Sequence, residues 1–255
     1  MAVTIKSARE IELMRESCRR LEIVHDALGA FIKPGISTMD INRYGEQLIR
    51  EQDGIPNFLN YNGFPASICV SVNEEVVHGI PSKKRILREG DIVSVDLGTI
   101  YKDYYSDAAR TYPVGKISEE NARLIRVAEE SFFEGLKFCR EGYRLGDVSH
   151  AIQAHVEANG FSVVRDFVGH GGGHDLHEDP PVPNYGKSHH GPRLVPGMTL
   201  AIEPMITVGD YDVEVLSNDW TAVTVDGSFA AHYENTVVIT DGEPRILTLE
   251  PKGGI

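Results

Sequence analysis

The sequence predicts an α+β fold built by internal duplication, with pseudo-twofold symmetry, mainly antiparallel strands and helices on the outer side. Three observations carry this. The segment Gly90-Asp91-Ile92-Val93-Ser94-Val95-Asp96 is mirrored 107 residues later by Gly197-Met198-Thr199-Leu200-Ala201-Ile202-Glu203, each running from a turn glycine through a mostly apolar stretch into a carboxylate. The same offset links Gly35 to Gly142 and Asp40 to Asp147. Each half reads as a long helix, a shorter helix and then strands, with no Ser/Pro-rich linker or low-complexity segment between them. A single domain over 1–255 is expected, its repeats covering roughly 1–115 and 116–255, with its strands gathered in one sheet.

The elements follow from local signals. Ser7-Ala8-Arg9-Glu10 has a hydroxyl at the N-cap and a carboxylate three residues on, a capping box. Ile11, Met14, Cys18, Leu21 and Leu28 then recur at helical spacing until Pro34-Gly35 stops the run. A second helix is predicted from Thr38 to Gly54, and strands at Ile68–Val72, Ile92–Leu97 and Thr111–Val114. Ser118 caps a third helix through Leu124, Ile125, Ala128, Phe132 and Leu136, ended by Gly142. A fourth spans Asp147–Asn159 and is closed by Gly160. Strands are predicted at Ser162–Phe167, Thr199–Ile206, Val213–Leu216 and Tyr233–Thr240.

The bulk composition excludes several function classes. With 25 basic and 38 acidic residues the net charge is −13, which argues against general nucleic-acid binding, since phosphate affinity requires a positive face. One local basic spot, Lys83-Lys84-Arg85, stands apart from that balance. Cys18, Cys69 and Cys139 are odd in number and widely separated, as expected of buried or free thiols in a reducing compartment. No apolar run approaches the ~20 residues a bilayer requires, and the first thirty residues lack a signal-peptide core. A cytoplasmic monomer without membrane contact is expected.

Four carboxylates stand in otherwise apolar strands: Asp96, Asp107, Glu203 and Glu234. A carboxylate in such a setting is costly unless something positive pairs with it, and four together repel one another. Four carboxylates and an imidazole can instead hold two divalent cations, with bridging carboxylates setting a hydrolytic two-metal centre. The imidazole is expected within Gly169-His170-Gly171-Gly172-Gly173-His174-Asp175-Leu176-His177. A single zinc held by His170, His174 and His177 is the alternative, although HExxH is absent and the glycine run opposes a helical histidine pair. Oxygen-rich ligation suits Mn or Fe(II), with Co or Zn also compatible. Val77-His78-Gly79-Ile80-Pro81 and Leu176-His177-Glu178-Asp179-Pro180 place a second repeated feature, His-x-x-Pro, on loops ahead of acid-bearing strands. His78 and His177 could donate to a substrate carbonyl and a leaving nitrogen, whereas His189 and His190 read as a solvated turn.

These motifs, together with Asp96 and Asp107 eleven residues apart, Ile202-Glu203-Pro204-Met205 and Tyr233-Glu234-Asn235-Thr236, resemble the type I methionine aminopeptidases from Ile5 to about Leu249. The resemblance implies the duplicated pita-bread fold and a metalloexopeptidase that removes the initiator methionine from nascent chains, preferentially before a small second residue. By that rule the chain, beginning Met1-Ala2, would process itself. It further implies that Asp96 chelates one metal, His170 and Glu203 the other, and that Asp107 and Glu234 bridge both. A metal-bridging hydroxide would attack the first peptide carbonyl, with Glu203 as proton shuttle, His177 at the oxyanion and His78 at the scissile nitrogen. Tyr61, Phe64, Cys69, Leu176 and Trp220 would form the methionine pocket. Lys83, Lys84 and Arg85 are candidates for a ribosomal contact. The chain departs from the family pattern at Phe58, where a cysteine is common, and at Leu176, where Phe or Met is usual. Further departures are His174 for Arg, His232 for Gln and Asn235 for His. None removes a metal ligand; they bear on pocket width and on hydrogen bonding at the site edge.

Overall fold

A computed structural model describes residues 3–249; Met1 and Ala2, on which self-processing depends, lie outside the described residues. Four helices form: α1 (Ala8–Phe31), α2 (Thr38–Glu51), α3 (Glu119–Leu136) and α4 (Leu145–Ala158). Ser7 caps α1, accepting from the Glu10 N–H while the Glu10 carboxylate accepts from the Ser7 N–H, so two orphan donors are satisfied reciprocally. Ser118 caps α3 by accepting from the Asn121 N–H. That helix ends at Leu136, before the expected stop at Gly142. The apolar run continues through Phe138 and Cys139, but their N–H groups bond back to Gly135 and Leu136 in tightened turns.

The 107-residue offset recurs in the backbone. Helix α2 begins at Thr38 and α4 at Leu145; they end at Glu51 and Ala158. Gly35 and Gly142 take φ of 94° and 96°, and Gly90 and Gly197 take 95° and 89°. The isolated bridge Ser37–Ile86 has its counterpart in Arg144–Arg193.

All strand pairings among the described residues are antiparallel, but the ladders divide into four sheets where one was expected. The longest is the hairpin of strands Ile92–Tyr101 and Tyr104–Pro113, which turns at Lys102-Asp103. The predicted strand at Thr111 is therefore only the end of a ten-residue one. The predicted strand Thr199–Ile206 is interrupted after Ile202 and resumes at Met205. Pro204 has no N–H to give a ladder, which accounts for the break. Ser162–Val163 is likewise shorter than expected.

Two main cores result. Leu21, Leu28, Ile41 and Ile49 of α1 and α2 pack on Val70, Val95 and Leu97. Leu124, Phe132, Val148 and Ile152 of α3 and α4 pack on Leu200, Ile206 and Val237. Full burial of each such side chain contributes about 1.5–3 kcal/mol. The halves meet where the Thr111 hydroxyl accepts from the His232 N–H and donates to the His232 carbonyl, both at 2.9 Å. The Glu234 N–H bonds the Ala109 carbonyl at 2.9 Å across the same seam. Among the described residues, no helix is long and apolar enough to cross a membrane. The three cysteines are buried free thiols.

Candidate active site

Strand register brings the acids together. Gly98 pairs with Asp107, and Asp96 with Ala109, so Asp96 and Asp107 are diagonal neighbours on one face of the long hairpin. Cys69 opposes Asp96 on the other flank. In the second half, Asn235 pairs with Ile202, which sets Glu234 opposite Glu203 just beyond the last ladder pair. His170 pairs with Ala201 and therefore projects from the same face as Glu203. Glycine is required beside it: a Cβ at Gly169 would lie 2.3 Å from the Ala201 carbonyl oxygen.

The donors converge. His170 Nε2 lies 3.7 Å from Asp107 Oδ2 and 3.6 Å from Glu203 Oε1. Ligand atoms of Asp107, His170 and Glu234 all fall within 4.8 Å of one another, as do those of Glu203, His232 and Glu234. His170 Nδ1 donates to the Gly171 carbonyl at 2.9 Å, which leaves the Nε2 lone pair aimed at the carboxylates. Burial, and then the neighbouring His177, push the His170 pKa down to about 3, so the ring is neutral and able to coordinate.

Electrostatics test whether a cation fits. Desolvation lifts Asp96 to about 7, with His232 opposing and Glu203 adding. It lifts Glu203 to about 8. Asp107 rises well above the carboxylate range through burial and the charges of Asp96 and Glu203; Glu234 does so through burial and the charges of Asp107, Glu203 and Asp96. Asp96 Oδ1, Asp107 Oδ1 and Glu234 Oε1 are buried without a hydrogen-bond partner. Orphaned acceptors of one sign around a neutral imidazole fit divalent cations and fit little else.

Beside these donors opens a cavity of about 310 Å³. Phe58, Tyr61, Phe64, Cys69, Leu176 and Trp220 cluster on its apolar side. His78 and His177 also line it. His78 packs edge-on against Phe167 at 5.5 Å and Trp220 at 6.3 Å. His177 Nδ1 is 2.7 Å from the Tyr61 hydroxyl, and its ring lies 4.3 Å from that of His170. His174 instead turns away to Glu10 at 3.1 Å and the Tyr104 ring at 5.3 Å, so the three-histidine zinc site does not assemble.

The Metallopeptidase family M24 model matches residues 12–241. The chain belongs to metallopeptidase family M24. Within that family it falls among the methionine aminopeptidases: it is 56% identical to the Methionine aminopeptidase of Clostridium acetobutylicum over 247 residues, 97% of this chain and 99% of that one. The crystal structure of Methionine aminopeptidase from Thermotoga maritima superposes with a TM-score of 0.96 at 46% identity, covering 98% of this chain and 100% of that one. The Xaa-Pro dipeptidase from Bacillus anthracis, at 22% identity and a TM-score of 0.74, shares the fold; this chain spans 63% of its length.

Some cavity-lining residues of this M24 site were not drawn from the sequence, whereas Phe58 and His232 were noted there as bearing on pocket width and the site edge. Phe167, Val168 and Met205 line the cavity; their closeness to His170 and Glu203 in the chain was the available signal. Phe58 packs into the apolar cluster, and His232 reaches the acids. Of the basic loop, Lys83 and Lys84 are exposed, whereas Arg85 turns toward Glu74 at 3.8 Å.

Proposed function

We propose that this cavity is where the chain, acting as a methionyl aminopeptidase, hydrolyses the peptide bond after an N-terminal methionine. The observation that carries the assignment of residues is the convergence of Asp96, Asp107, His170, Glu203 and Glu234 at one end of a cavity whose other wall is apolar. Asp96 would hold one divalent ion and His170 with Glu203 the other, with Asp107 and Glu234 shared. When bound, such ions polarise a carbonyl and lower the pKa of water to near neutrality.

The chain's own residues do the rest. The apolar wall takes the thioether side chain, with polarizable contacts from Phe64, Cys69 and Trp220. Phe58 narrows that wall. His177, its Nδ1 held by the Tyr61 hydroxyl, presents Nε2 toward the carbonyl oxygen as a hydrogen-bond donor. His78, on the opposite loop, meets the scissile nitrogen. Glu203, whose two carboxylate oxygens face His170 and His232, would accept a proton from the attacking water and return it to the leaving amine. Lys83 and Lys84 are the side chains we assign to a ribosomal contact; if that holds, reversing both charges lowers co-sedimentation with ribosomes.

Protein supplied with Mn²⁺ or Co²⁺ should release methionine from Met-Ala-Ser and leave X-Pro peptides intact, and Asp96→Asn should abolish release. Folded protein that cleaves X-Pro peptides in preference would refute the reading of the pocket.

A further inference from the structure

His232 is the side chain that the site's chemistry leaves without a partner. It ends strand Ala230–His232, paired with Met205 on the strand that follows Glu203-Pro204. Its backbone is clamped on both sides by Thr111. The imidazole is 1% exposed, and its Nε2 has no hydrogen-bond partner. That nitrogen lies 3.4 Å from Glu203 Oε2, while the other oxygen of Glu203 faces His170 Nε2 at 3.6 Å. Glu203 is thus flanked by two ring nitrogens, and the Glu203–His232–Glu234 donors fall within 4.8 Å of one another.

A neutral ring nitrogen and carboxylate oxygens are electron donors of the same kind, and crowding them in a buried place is unfavourable unless a cation lies among them. The hydrogen bond that could otherwise relieve His232 is absent. Resting on the metal-centre reading above, we propose that His232 supplies, through Nε2, a second imidazole ligand to that centre, on its Glu203–Glu234 side. The consequence is metal choice. A second nitrogen donor favours borderline ions such as Co²⁺ and Zn²⁺ over Mn²⁺, which prefers oxygen. The glutamine usual at this position in type I methionine aminopeptidases offers only an amide.

The test pairs His232→Gln with a measurement that needs no variant. X-ray absorption on the wild-type cobalt protein counts imidazoles: two per two cobalts are expected. Calorimetric titration of wild type and His232→Gln with Co²⁺ and with Mn²⁺ gives the affinities. The variant should lose about tenfold or more in Co²⁺ affinity and change about threefold or less toward Mn²⁺. Two bound cobalts with one imidazole between them overturn this proposal and leave the metallopeptidase reading standing, even if the variant weakens binding. Folded wild type that takes up no divalent ion overturns both. Should His232→Gln fail to fold, the imidazole count on the wild type decides alone.

Discussion

Replacing Gly79 by alanine is expected to slow hydrolysis without stripping the metal centre. Gly79 follows His78, whose φ is +57°, and lies flat on strand Cys69–Val72. Its carbonyl accepts from the Val70 N–H at 2.9 Å, and its N–H donates to the Ser71 hydroxyl at 3.1 Å. A Cβ at Gly79 would lie 2.3 Å from the Val70 carbonyl oxygen, 2.7 Å from its carbon and 2.9 Å from the Ser71 Cα. All three are backbone atoms that cannot swing aside. Ordinary contacts begin near 3.5 Å, so the loop must retreat by about 1 Å and carry His78 with it. A misplacement of that size in a positioning group costs about 10²-fold in rate, or roughly 2.7 kcal/mol of barrier. The overpacking itself should lower stability by about 1–3 kcal/mol. The assay is kcat and KM for Met-Ala-Ser at saturating Mn²⁺, with metal content and denaturation midpoint measured in parallel. Gly242→Ala, whose Cβ would meet Thr240 Oγ1 only at 4.0 Å, is the control. A Gly79→Ala enzyme with wild-type kcat and midpoint would refute both the steric reasoning and the assignment of His78.

Two more outcomes follow from the same geometry. Glu178 is held by Lys6 Nζ at 2.5 Å, by Thr4, and by the N–H groups of His174 and Asp175; burial acts against it, yet these bonds bring its pKa from 4.5 down to about 2. A depressed carboxylate stabilises the fold above its unfolded pKa and loses that contribution as pH falls through the folded value. At ~1.4 kcal/mol per pH unit, discounted for solvent screening, Glu178→Gln should cost about 2 kcal/mol at pH 7, and the gap to wild type should close between about pH 4.5 and 2; a gap independent of pH, in chemical denaturation, would contradict this. For the metal centre, adding Mn²⁺ or Co²⁺ at ~100 times its Kd to chelator-treated protein should stabilise by about 2.7 kcal/mol, seen as a rise of roughly 5–10 °C in Tm. An unchanged Tm would remove the centre as a reading of the carboxylate cluster.

Much of the site was legible because each ligand broke a local pattern. Asp96 and Glu203 interrupt apolar strands at matching places, and the glycines around His170 mark the close approach of strand Thr199–Ile202. The Ser7 capping box and the helix starts at Thr38 and after Ser118 were equally local. Sheet organisation was not, since ladder partners are fixed by contacts distant in sequence: Thr111 with His232, Ala109 with Glu234. Strand Tyr104–Pro113 was read only in pieces, an apolar stretch around Asp107 and an end at Thr111–Val114, because its ten-residue length is set by pairing with Ile92–Tyr101. His232 was read as a detail of the site edge; only the register with Met205 turns it toward Glu203.

The seam between strands Tyr104–Pro113 and Asn235–Val238 has a wider consequence. It is stitched largely by side chains: Thr111, Arg110 reaching Asn235, and Thr236 reaching the Asp107 carbonyl. Asp96 and Asp107 come from one repeat and His170, Glu203 and Glu234 from the other, so the full proposed donor set exists only where the two repeats meet. On the proposed reading, binding of both ions would wait until the two repeats have met.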